Sequence, residues 1–193
     1  MKSYEINASF STPVIDIASN TSSIINAFSG ASFINLTASP ALVIFQNQSS
    51  QFLASPTQLS IRTNNVENTD SFEQLIDITK DFFRNLLPEG SIVAIRITSI
   101  DPFPDALQSS LNFCSLSLSS TKGIGYRFLI ENANLSRYDE FKYEPLLADP
   151  NQLYFESTNL FKINMDADLH YFLQNSVEHF NRYQTEILQQ IGN

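Results

Sequence analysis

The chain contains no tryptophan, one cysteine, two histidines and five glycines in 193 residues. Each scarcity excludes something. The single cysteine, Cys114, rules out an intrachain disulfide. With so few glycines there is no G-x-x-x-x-G-K-[ST] phosphate loop, no G-x-G-x-x-G dinucleotide fingerprint and no G-x-S-x-G nucleophile elbow. Gly123-Ile124-Gly125 is too short for any of these and reads as a hairpin turn. Basic residues are also few: 11 Lys and Arg stand against 20 Asp and Glu, a net charge of −9, and no three basic residues are consecutive. Phosphate backbones are bound mainly by Lys and Arg, so nucleic acid is not an expected partner. An anionic membrane surface is disfavoured for the same reason. No apolar run approaches the roughly 18 residues of a membrane-spanning helix. The opening MKSYEINASF has no apolar core of a secretory signal. Together with the lone thiol, this leads us to expect a cytoplasmic protein.

Apolar residues are plentiful: they make up 42% of the chain and include sixteen Phe. That aromatic content belongs to a chain with a packed core rather than to a disordered one. Charged residues make up only 16%, against about a quarter in typical domains, so Ser, Thr, Asn and Gln must supply much of the surface. Asn-x-Ser/Thr triplets at Asn7, Asn20, Asn35, Asn47 and Asn134 follow from this composition and are not read as glycosylation sites.

Two helices stand out. One starts near Asp70-Ser71, where Ser71 with Gln74 or Asp70 with Glu73 has capping-box spacing. Its stripe is Phe72, Leu75, Ile76, Thr79, Phe82, Phe83, Leu86 and Leu87, and Pro88 and Gly90 stop it. The other is expected from about Ala167 to Ile191 with Asp166 as cap, an apolar stripe through Phe172, Leu173 and Phe180, and Gly192 as stop. Most other segments read as strands: 4–10, 14–17, 41–46, 51–54, 58–62, 91–98, 112–117, 126–131, 141–147, 153–156 and 160–163. Residues 22–28 suit a short helix. Short turns between the strands favour antiparallel pairing. Asp101-Pro102-Phe103-Pro104-Asp105 divides the chain, with strands followed by an amphipathic helix on each side. A single domain is expected, built from two similar halves, about 1–100 and 106–193, joined by this proline-containing connection.

The segment Phe180-Asn181-Arg182-Tyr183-Gln184-Thr185-Glu186, followed by Gly192, resembles the F-x4-T-E/D…G ending of a sporadically distributed family of uncharacterised bacterial proteins. Those proteins also carry a polar hairpin, a Phe-rich helix and a strand with an Arg-Tyr-Ile-Asn-like end. Here the counterparts are Gln58 to Arg62, Ser71 to Leu87 and Ile95-Arg96-Ile97. The Tyr-Ile-Asn part and the aromatic residue before the first helix are absent. The resemblance implies an α+β fold and no particular activity.

Few residues suggest chemistry. Asp166, Asp168 and His170 form the only D-x-D-x-H spacing, with Asp166 and His170 able to share a helix face as metal ligands. The ordinary reading of these aspartates is dipole chemistry at a helix start. His170 and His179 are expected on opposite sides of their helix, with His179 at a solvated edge. Cys114 reads as a small packed residue, and Asp139, Glu140 and Glu144 with Arg137 and Lys142 as a mixed-charge surface. The fold expected is α+β: a mostly antiparallel sheet of about seven to nine strands with two long helices on one face. The leading functional expectation is a non-enzymatic protein-interaction or regulatory module, with a protein partner or self-association and no cofactor. The alternatives are a small apolar ligand-binding protein with a cavity between sheet and helices, and a metal-dependent enzyme using Asp166, Asp168 and His170.

Overall fold

Strand alternation and helical periodicity give nine strands and four helices among the described residues. The computed structural model describes residues 2–9, 15–88, 90–111, 123–132, 137–163 and 168–192. In the first half the order is β1 (Lys2–Ser9), α1 (Ile17–Phe28), β2 (Ile34–Ser39), β3 (Leu42–Gln46), β4 (Ser50–Ser55), β5 (Gln58–Val66) and α2 (Asp70–Leu86). In the second it is β6 (Ile92–Pro102), α3 (Ala106–Leu111), β7 (Tyr126–Asn132), β8 (Arg137–Pro145), β9 (Gln152–Lys162) and α4 (Leu169–Ile191). The fold is α+β and every strand pairing is antiparallel. The strand order is β2-β3-β4-β5-β1-β6-β9-β8-β7. Five strands of the first half and four of the second meet where β1 pairs with β6, with Ile6 opposite Ile95.

Local chemistry accounts for the boundaries. Asp16 caps α1 by accepting from the Ser19 N–H at 3.0 Å, as its short side chain favours. Asn47 Oδ1 accepts from the backbone N–H of Ser49 and of Ser50, which folds the β3–β4 turn. Pro56-Thr57 forms the two-residue β4–β5 hairpin, and Ser55 faces Gln58 across it.

The register sets one row across six strands, Phe45, Phe52, Ile61, Ile6, Ile95 and Asn159, of which Phe45, Phe52, Ile61, Ile95 and Asn159 are buried. Its first members are packed by aromatic rings. Phe28 of α1 stacks on Phe45 at 4.3 Å between centroids, and Phe82 of α2 lies 6.2 Å from Phe52. In the second half Phe172 of α4 stacks on Phe161 at 4.4 Å, and Phe180 lies 6.0 Å from Phe141. Phe83 and Phe180 are fully buried, and Phe82 and Phe172 are half-buried against the core. Helix α4 also reaches the first strand: Lys2 Nζ donates to Asn181 Oδ1 at 2.8 Å and lies over the Phe180 ring. Burial there lowers the Lys2 pKa, against the opposing charge of Asp101.

Several expectations are corrected. Of the strand expected at 14–17, residues 15–17 form none, because Asp16 caps a helix that begins at Ile17, and residue 14 lies outside the described residues. The cap of α2 is Thr69, whose hydroxyl donates to Glu73. The cap of α4 is Asp168 rather than Asp166, so the helix starts at Leu169. The two strands expected at 153–156 and 160–163 are one continuous strand, β9, because β6 pairs with it along its whole length. The strand expected at 141–147 lies at Arg137–Pro145 and leaves Leu147 exposed. Gly123–Gly125 form no turn but lead straight into β7. Pro102 ends β6 rather than separating two halves, since a terminal strand position needs no ladder donor. The strand expected at 112–117, with Cys114, lies outside the described residues.

Phe52 is fully buried and touches Phe28 and Phe82. Phe52→Ala is expected to lower unfolding stability by roughly 3–5 kcal/mol, from lost burial plus a cavity. A urea denaturation midpoint within experimental error of wild type would contradict this packing.

Candidate functional site

The D-x-D-x-H segment shows how its residues are used. Asp168 Oδ1 accepts from the His170 backbone N–H at 2.9 Å, capping α4. His170 Nε2 lies 3.1 Å from Asp77 Oδ1 on α2, so it pins one helix to the other. This hydrogen bond is the main cause holding the Asp77 carboxyl below its ordinary range, against a small opposing effect of burial and with help from Lys80. Asp166 lies outside the described residues. Among the described residues no three His, Cys, Asp or Glu side chains are grouped to hold a metal ion. No helix there is long and apolar enough to cross a membrane.

A different site lies along the other side of α4. A cleft of about 510 Å³ opens between this helix and the ends of β7, β8 and β9. Ile130, Asp139 and Asn159 line it from the strands, and Phe172, Asn175 and His179 line it from α4. A second hollow of about 320 Å³ adjoins it, sharing Ile130 and Tyr183 and lined further by Phe128, Phe141 and Ile187. The cleft therefore has a polar end and an apolar end.

Parting strands make the polar end. The β8–β9 ladder stops at Glu140 opposite Thr158. One residue further, side chains replace the backbone ladder. Asp139 Oδ1 accepts from the Leu160 N–H at 2.9 Å and from Asn132 Nδ2 at 3.0 Å. Asn132 Nδ2 also donates to the Leu160 carbonyl at 3.0 Å. Asn159 Nδ2 donates to Asp139 Oδ2 at 3.4 Å. A carboxylate only accepts, so the Asn159 amide must turn its nitrogen to Asp139 and its oxygen away. That oxygen is buried, on a residue only 3% exposed, and meets no donor among the described residues. An orphaned buried acceptor costs about 1–3 kcal/mol. The hydroxyls of Ser157 on β9 and Ser176 on α4 are buried without partners as well.

The opposite side of the strands is built differently. Arg96 donates to Glu156 at 2.5 Å, the Tyr154 hydroxyl also donates to Glu156, and Lys142 lies 3.8 Å from it. Arg127 pairs with Glu140. Burial first, and then the bond to Glu156, push the Tyr154 hydroxyl up to about 12. Burial alone would raise the Glu156 carboxyl, but the hydrogen bonds from Arg96 and Tyr154 outweigh it and hold the group low. These charges satisfy one another.

The sequence reading grouped Asp139 with Glu140 on one charged surface. The structure separates them: strand alternation turns Glu140 to Arg127 and Asp139 into the cleft. His179, expected at a solvated edge, is half-buried in the cleft wall with its ring 6.1 Å from Tyr183. Asn159 went unnoticed. The available signal was its place in the alternation with Phe155 and Ser157, which puts an amide on an otherwise inward face. No family model matches the chain, and no curated protein sequence matches it.

Two outcomes follow from these contacts. Asp168→Ala should cost about 1 kcal/mol of stability through the lost cap, read from the shift in urea midpoint. A depressed carboxyl pKa stabilises the fold above its unfolded value, about 4.3 for Glu, and that gain is lost as pH falls through the folded value. The advantage of wild type over Glu156→Gln should therefore be full near pH 7 and shrink below about pH 4. An advantage independent of pH would contradict the assignment.

Proposed function

We propose that this protein binds a small, largely apolar molecule in the cleft beside α4. The observation that carries this reading is the Asn159 oxygen, buried with no donor among the described residues, on a residue that lines the cleft next to an apolar hollow. A groove with apolar walls and a few placed polar groups is the usual form of a small-molecule site.

A comparison of the two halves supports it. We read the chain as a duplication, with β1-α1-β3-β4-β5-α2 matched by β6-α3-β7-β8-β9-α4, β2 added at one edge, and the long helices α2 and α4 on one face. The element order and the symmetrical strand order around β1 and β6 support this. In the first half α1 spans 12 residues, and Phe28 fills the space over Phe45. The described part of its counterpart α3 spans six residues and packs against β8. Among the described residues no helix covers β7 in the way α1 covers β3, and Phe128 and Ile130 stay half-buried at the groove.

The second reading, an interaction module that meets a protein partner or another copy, is supported by the outermost strand. On β2, Ile34 is 68% and Leu36 is 56% exposed, and an outer strand offers unpaired backbone groups to another strand. The metal-enzyme reading has no comparable support, because Asp168 and His170 are engaged by the helix cap and by Asp77.

Nile red, a neutral dye that brightens in apolar surroundings, tests the cleft. Wild type should enhance its fluorescence. Ile130→Trp, which fills the shared wall of both hollows, should weaken binding about fivefold or more, the effect of losing roughly 1 kcal/mol. Equal binding by a variant with unchanged circular dichroism would refute the cleft as the site.

A further inference from the structure

We infer that the cleft selects a ligand with an aromatic body and a primary ammonium head, the head seated at the Asp139 carboxylate beside Asn159. This rests on the cleft being the binding site, as proposed above, and goes beyond it by naming the head-group chemistry. The row that crosses the strands is apolar from Phe45 to Ile95 and becomes polar at Asn159. What it presents there is acceptor chemistry. Asn159 offers a carbonyl oxygen, since its nitrogen is committed to Asp139. Asp139 Oδ1 already accepts twice, whereas among the described residues Oδ2 receives only the long 3.4 Å bond from Asn159. A carboxylate or phosphate head placed there would face like-charged and acceptor groups, with repulsion and an unmet desolvation cost. An ammonium brings three donors and a compensating charge, and hydrogen bonds to charged groups are the stronger kind.

The remaining charged and titratable groups of the cleft agree with this polarity. Glu131 and Lys162 are exposed at the rim and carry opposite signs, so neither dictates the charge of a head held deeper. His179, Asn175 and Tyr183 stand on the α4 side, where each can accept as well as donate. Aromatic preference for the body follows from Phe172, Phe161 and Tyr171 at one end and Phe128 and Phe141 at the other. Rings pack on such walls by offset stacking and edge contacts.

Three probes with one body separate the possibilities: 2-phenylethylamine, 3-phenylpropanoate and ethylbenzene, each titrated by ligand-observed NMR against wild type, Asn159→Leu, Asp139→Asn and Ile130→Trp. Leucine shares the branched outline of asparagine and removes the orphaned acceptor, so Asn159→Leu should stay folded. Asp139→Asn keeps an acceptor for the Leu160 N–H and serves as the second variant. The amine should bind wild type about tenfold more tightly than the other two probes, a difference of one strong hydrogen bond. In Asn159→Leu and Asp139→Asn that preference should fall to about threefold or less while ethylbenzene binding persists. If 3-phenylpropanoate binds as well as the amine, or both variants keep the full preference, the head-group assignment is wrong and the cleft reading stands. If no probe binds and Ile130→Trp leaves Nile red binding unchanged, the cleft reading itself fails, and this inference fails with it.

Discussion

The antiparallel pairing of β1 with β6 is the constraint on which the other features depend. Among the described residues it is the only ladder between β1–β5 and β6–β9, and it places β1 at the centre of the strand order. Through it, the row that starts under α1 at Phe45 continues through Ile6 to Ile95 and ends at Asn159. Side chains alternate along a strand, so a slip of one residue in this pairing would turn the second half's inward residues outward relative to the first. The contacts of Lys2 with Asn181 and with the Phe180 ring tie α4 to the same junction.

The two halves use the same kinds of element to different ends. In the first, α1 adds Phe28 to Phe45 and Phe52 and closes the packing with aromatic rings. In the second, β8 and β9 part beyond Glu140 and Thr158, and Asp139 and Asn132 bridge the gap through side chains. A ladder built from side chains leaves polar atoms at the surface of the core, and Asn159 is the residue that bears the cost. Polar groups that lower stability in this way are expected where binding takes precedence over packing.

The charged side of the strands shows the contrasting case. Arg96, Lys142, Tyr154 and Glu156 form a closed set in which each group faces its complement. A self-satisfied cluster has little left to offer a ligand, so the side with more charge is the less promising site. Charge counts taken from the sequence point towards residues 137–144 for the wrong reason: Glu140 is paired across to Arg127, and Asp139, its neighbour in the chain, belongs to the cleft.

Much of this architecture was legible in the sequence because it rests on short-range patterns. The stripe Phe72, Leu75, Ile76, Thr79, Phe83 is the buried side of α2, and the alternation in SIVAIRIT is the alternation of β6. The boundaries missed at Asp16 and Asp168 turned on which of several adjacent polar side chains reaches a backbone N–H, whereas the Thr69 hydroxyl reaches the Glu73 carboxylate instead. The sequence by itself determined most of the element types and the antiparallel pairing, because periods of 2 and about 3.6 residues are local properties of the backbone, but it gave no sign of β2 or α3, which are too short to show a clear period. Only the tertiary structure decided that Asp139 and Asn159, twenty positions apart, meet where two strands part, and that His179 of the last helix stands over them. The reason is physical: which hydrogen bonds a polar side chain completes depends on the strand and helix that arrive beside it, and pairing across the sheet, not any local period, brings them there.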